Sequence, residues 1–154
     1  MEVYGVMINM MKKTHLLFGI AFFLICNLYF NFPLEFSIFA LVGAMLPDLD
    51  LKWKHRKVLH NLWVLGAIIL TMFYFEISEI AIVIFSLGFI SHLLADSLTK
   101  MGISWLWPIR FPHLEGGITT GSWKESVFSF IILIFIVIML LGIDFIFNLT
   151  GLII

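Results

Sequence analysis

Apolar runs long enough to cross a lipid bilayer fill most of this 154-residue chain, and nothing else constrains its fold as strongly. A helix covers about 30 Å of hydrocarbon with about 20 predominantly apolar residues. Runs of this kind occupy 16–30, 58–75, 80–94 with an amphipathic continuation to Leu98, and 127–147, and a shorter one occupies 34–46. Only 12% of the residues are charged, against about 25% in a soluble domain. The expected fold is all-α, a polytopic transmembrane helical bundle of about five membrane helices with the second one short. The runs leave no room for an extramembrane domain, so the chain reads as one membrane-embedded domain over 1–154.

Length separates the runs. The last, 127–147, spans cleanly and 58–75 is adequate. The first and fourth reach spanning length only if Thr14-His15 and the stretch from His92 to Thr99 continue the same helices. The second lies between Pro33 and Pro47 and covers only about 20 Å, so it tilts, thins the bilayer or leans on its neighbours. Residues 1–13 form a leader. Lys12-Lys13 has the outline of a signal peptide, but no small-x-small cleavage site follows, so the leader is expected to remain. Residues 99–126 make the one substantial loop. Cys26 is the lone cysteine; it allows no intrachain disulfide and reads as a buried, inert thiol.

Net charge is −1, which argues against nucleic-acid binding through a broad basic surface, and no nucleic-acid partner is expected. Position carries more than the sum. With the N-terminus cytoplasmic, Lys12 and Lys13 precede the first crossing. Lys52, Lys54, Arg56 and Lys57 then lie in the loop between the second and third, and Lys100, Arg110 and Lys124 between the fourth and fifth. Every Lys and Arg falls on one side, the positive-inside pattern of a multi-pass protein of the inner (cytoplasmic) membrane, with five crossings and the C-terminus outside.

The same face collects the chemistry-bearing residues. His15 sits at the start of the first crossing, Asp48 and Asp50 follow the second, His55 and His60 lead into the third, and His92 and Asp96 close the fourth. His92 and Asp96 are four apart, so on a helix both reach one point. Ionisable groups at a membrane helix end are costly unless paired or bound, which makes a functional site the first hypothesis. Pro47-Asp48-Leu49-Asp50 alone reads more simply as a solvated turn, and His15, His55 and His60 are singly more often structural than ligands. Their convergence from four segments changes that reading. Nitrogen and oxygen donors without thiolate suit one or two divalent ions, zinc first, with manganese or iron as alternatives. Arg56, beside His55, suits a phosphate or carboxylate.

Other polar residues have plainer readings. Ser122 and Glu125 have the spacing of a capping box opening the last helix, with Glu125 facing the ligand cluster as the alternative. Trp105, Trp107 and Trp123 read as interfacial anchors. His113, without a partner at helical spacing, reads as a surface or lid residue.

Thr14-His15 with Gly19, Leu46-Pro47-Asp48-Leu49-Asp50, His55-Arg56 before His60, and Ser91-His92-Leu93-Leu94-Ala95-Asp96 with Thr99, Gly102 and Pro108 follow in a set order. In that order they resemble the YdjM-like family of membrane-bound metal-dependent hydrolases, also described as LexA-binding and inner-membrane-associated. The resemblance covers about residues 14–125. One departure is Asn61, where the family often has Ser. The resemblance implies a metal-dependent hydrolase, and a distant likeness to zinc phospholipase C and certain nucleases implies phosphoester substrates.

The expected function is therefore hydrolysis of a phosphoester, with a lipid-linked one favoured by the membrane-level site, through a metal-activated water at the cytoplasmic face. His15, Asp48, Asp50, His60, His92 and Asp96 are the expected metal ligands, with Asp50 also a candidate base. His55 and Arg56 are the candidates to hold the anionic group. The lipid bilayer is the expected partner. Two rivals use the same residues: a non-enzymatic metal-binding or transport protein, and a membrane scaffold in which they are structural. Transport predicts ligands near mid-membrane on broken helices, and here they gather at helix ends.

Overall fold

The computed structural model describes the backbone over 2–53, 59–109 and 113–151, and side chains over 12–49, 59–109 and 113–142. Among the described residues the fold is all-helical, apart from isolated bridges in the long loop. The helices are α1 (Glu2–Phe30), α2 (Ser37–Met45), α3 (Leu62–Tyr74), α4 (Glu79–Ser97) and α5 (Trp123–Gly151), and 3-10 turns at Leu34–Phe36 and Leu46–Trp53 flank α2.

Three stretches are long and apolar enough to cross a membrane: Lys12–Phe30, Glu79–Ser97 and Trp123–Gly142. The first continues through Thr14 and His15 and the second through His92 to Ser97, as their lengths required. The residues read as a leader extend α1 back to Glu2. α2 is short as expected. Pro47 lacks an N–H and its ring conflicts with the carbonyl four residues back, so the α-helix gives way to a 3-10 turn from Leu46.

α3 is shorter than the apolar run it comes from, at 13 residues or about 20 Å. Asn61 is extended and caps it, its side chain accepting from Val64 N–H at 3.0 Å. The Leu62 N–H turns away to the Trp105 carbonyl, tying the helix start to the long loop.

α4 is the centre. It packs most extensively on α2 and then on α1. Ile84 joins a core with Ala21, Leu24, Ala40, Ile132 and Ile136, while Phe85, Phe89 and Leu93 join another with Leu65 and Ile103. Small residues permit the α2–α4 approach. A Cβ on Gly88 would run into the Ala40 carbonyl, and one on Gly43 into the Phe85 carbonyl. This approach sets the end of α2 against His92, one turn beyond Gly88.

Trp105 departs from its expected role as an interfacial anchor. It packs against the second core and donates from Nε1 to Ser97 Oγ at 2.9 Å. Trp107 and Trp123 are exposed, as an interfacial position requires. Cys26 is free and half-buried in α1, less enclosed than expected.

Candidate metal centre

Four of the expected ligand-bearing segments meet at one end of the bundle. α1 supplies His15, the 3-10 turn after α2 supplies Asp48, the turn before α3 supplies His60, and α4 supplies His92 and Asp96. All five are buried, His92 completely.

His92 is the best-oriented member. Its Nδ1 lies 2.7 Å from the Ala44 carbonyl, so Nδ1–H donates there and the Nε2 lone pair faces inward. The cause lies in the sequence. In the 3-10 register beginning at Leu46, the partner of the Ala44 carbonyl would be the nitrogen of Pro47, which carries no hydrogen. That carbonyl is therefore available to fix a histidine tautomer.

Around His92 Nε2 the donor atoms converge. Asp96 Oδ2 lies 3.4 Å from both His92 Nε2 and His60 Nε2, and Asp48 Oδ1 lies 3.7 Å and 3.9 Å from the same two nitrogens. The other Asp96 oxygen, Oδ1, meets His15 Nε2 at 3.3 Å. The His15 ring stacks on His92 with centroids 4.0 Å apart. Zinc bonds of about 2.0–2.2 Å put tetrahedral ligand atoms about 3.3–3.6 Å from one another. The observed separations fall at and just above that range. His92 Nε2 and Asp48 Oδ1 are buried and make no hydrogen bond, and they lie 3.7 Å apart across the space that Asp96 Oδ2 also faces.

Two overlapping triads are thus able to hold an ion: His15, His92 and Asp96, and Asp48, His60 and His92. They share a single imidazole lone pair, so His92 serves one ion. A second ion would have to use His15 with the outer oxygen of Asp96. The donor set fits zinc, manganese or iron.

His60 and Asp96 also form the floor of a cleft of about 320 Å³ whose walls include Gly102, Ser104, Trp107 and His113. His113 is exposed, in line with its surface reading, and forms part of the cleft wall. Its Nε2 donates to the Met101 carbonyl at 3.0 Å and its Nδ1 accepts from Ser104 Oγ at 3.2 Å. Gly102, at φ +57°, allows the loop to close onto it, since a Cβ would strike the Leu114 carbonyl.

Glu125 is buried but outside the triads. Oε1 accepts from Thr14 Oγ1 at 2.8 Å and Oε2 from the Gly121 N–H at 2.6 Å. The capping box is therefore not formed. Ser122 Oγ donates back to the Thr119 carbonyl, and the positive φ of Gly121 turns its own N–H, in place of that of Ser122, toward the carboxylate.

The backbone of Asp50 lies in the 3-10 turn, but its side chain, and His55 and Arg56 entirely, lie outside the described residues. Sequence reasoning missed the Ala44 carbonyl, for which Pro47 three residues on is the signal. It also missed the latching of His113, which no local pattern marks.

Fold and site together define a polytopic helical membrane protein carrying a buried His/Asp cluster able to hold a divalent ion. The chain belongs to the YdjM inner membrane protein family, whose sequence profile matches residues 10–151. Two curated relatives, the inner membrane protein YdjM of Escherichia coli (strain K12) and that of Shigella flexneri, are each 33% identical over 47% of this chain and 48% of their own length. The chain thus spans about half the length of the curated relatives it matches. No solved structure matches it significantly.

Proposed function

We propose that this protein is a metal-dependent phosphoester hydrolase of the inner membrane, acting at the cytoplasmic face on amphiphilic substrates. One observation carries the reading: His15, Asp48, His60, His92 and Asp96 converge, buried, beneath a cleft of about 320 Å³ that is open to a head group. A scaffold has no need of His92 Nε2 and Asp48 Oδ1 buried 3.7 Å apart without a hydrogen bond, and their desolvation is costly without a ligand.

In this reading His60, His92, Asp48 and Asp96 would hold one ion, with His15 as a further donor. When bound, the ion supplies a Lewis acid that polarises a phosphoryl oxygen and lowers the pKa of water. The chain does the rest. Ala44 holds His92 in the ligating tautomer, and the latch of His113 to Met101 and Ser104 keeps the cleft wall in place. Arg56 and His55, just before His60 in sequence, hold the anionic group, and Asp50 takes the proton of the attacking water. The water oxygen bonds to phosphorus as the phosphorus–oxygen bond to the leaving group breaks, and the departing alkoxide takes up the proton that Asp50 received. Exposed Trp107 and Met101 at the cleft give the apolar part of an amphiphile a surface at the interface.

The test is phosphate release from phosphatidate in mixed micelles by the full chain. Release should stop with chelator and return with Zn2+ or Mn2+. Hydrolysis that persists in the metal-stripped protein or in Asp96→Ala would overturn the reading.

A further inference from the structure

Beside the proposed centre, and sharing no lining residue with the cleft, lies a small cavity of about 20 Å³ between α1, α4, the end of the long loop and α5. That is room for one water, which needs about 10–15 Å³ and two to four polar partners. His15, Thr14, Thr99, Thr120 and Glu125 line it. Two of these contribute buried polar atoms that make no hydrogen bond, His15 Nδ1 and Thr120 Oγ1. Glu125 is held rigidly there by Thr14 and the Gly121 N–H.

We propose that this cavity is a single-water site through which Glu125, from α5, orients His15. The inference rests on the metal-centre reading above. With His15 Nε2 turned to the centre, its Nδ1 carries the proton and needs an acceptor. A water in the cavity accepts from Nδ1–H, donates to the Glu125 carboxylate and closes its remaining bond on Thr120 Oγ1. A ligating histidine almost always donates its second N–H to a carboxylate, a backbone carbonyl or water. His92 uses the Ala44 carbonyl; His15 uses water backed by a carboxylate. Glu125 is then a positioning residue. It joins the last helix to the centre, although α5 supplies no ligand among the described residues.

The experiment is Co2+ titration of the purified full chain, read as affinity and as the visible absorption of the bound ion. Outer-shell changes of this kind cost about 10–100-fold in metal affinity. Glu125→Gln keeps the side-chain shape and should weaken binding by that amount, with a changed Co2+ spectrum. Thr120→Val, at a loop position with no helix to disturb, should weaken it several-fold. Ser129 does not line the cavity; Ser129→Ala removes its 2.9 Å contact with Thr14 but leaves the Thr14–Glu125 bond in place, and should bind as wild type. Wild-type affinity and spectrum in both Glu125→Gln and Thr120→Val would reduce Glu125 to a clamp between helices and overturn the inference alone. Absence of Co2+ binding by the wild-type chain would overturn it together with the metal centre. Should Glu125→Gln fail to fold, Thr120→Val decides.

Discussion

α4 and α5 are both apolar and of spanning length, yet they do opposite jobs. Within the protein, 61% of the α4 span is buried against 17% of the α5 span. Among its described side chains, α5 buries only a narrow stripe through Glu125, Ile132 and Ile136, flanked by half-buried Phe128 and Met139, and presents most of the others outward. α4 buries a broad face, leaving Ile80 and Val83 outward, and carries His92 and Asp96 near its end. Apolar character alone thus reports contact with lipid or with protein without distinguishing them. What marks α4 as the centre is its glycine at the α2 crossing and the polar residues it can bear because neighbours enclose them.

The largest expected effect follows from the position of Asp96, whose two oxygens serve His15 on one side and His60 and His92 on the other. Asp96→Ala should lower metal affinity by more than about 100-fold, beyond what outer-shell changes cost, and take stoichiometric metal to near zero by elemental analysis. Retention of one ion per chain in this variant would place the site elsewhere. Metal removal from the wild type comes next. An ion present at 100 times its dissociation constant stabilises by about 2.7 kcal/mol. Chelation should therefore lower the melting temperature, with faster hydrogen exchange near 92–97 and little change over 130–139.

Packing gives a third contrast. Phe89 in α4 is fully buried. Lipid tails are as apolar as the core, so the transfer term largely drops out and the cavity term remains. Phe89→Ala should still cost about 2–4 kcal/mol, read from thermal or denaturant unfolding in detergent. Gly88→Ala attacks the crossing itself. Its Cβ conflicts with the Ala40 carbonyl, and overpacking costs about 1–3 kcal/mol. The displacement also draws Ala44 from His92, so metal affinity should fall with stability.

Much of this was legible in the sequence. Spacing alone joined His92 to Asp96, and the charge distribution put His15, Asp48 and His60 at the same end. Length marked α2 as short. The failures share a cause: each depends on a partner far away in the chain. α3 starts late because Leu62 is held by Trp105, Trp105 is drawn partly into the core because Ser97 receives it, and Glu125 is drawn from its capping role by Thr14, 111 residues distant. Local patterns define elements and their polar ends, while tertiary partners decide which backbone group a side chain satisfies.

The smallest expected effect tests the outer side of the comparison. Phe130 of α5 carries the same side chain as Phe89 but is 62% exposed at a position facing away from the core. Replacing it with alanine opens no cavity, because lipid or detergent fills the space. It leaves no polar group unpaired, and the change in stability should stay within about 0.5 kcal/mol. Metal affinity should be unchanged, since the buried stripe of α5 and the bonds of Glu125 are untouched. A cost for Phe130→Ala comparable to that of Phe89→Ala would mean that the outer face of α5 is covered, and a second copy of the chain would be the first partner to test by its oligomeric state in detergent. Equal and small costs at both positions would instead remove α4 from the centre of the bundle.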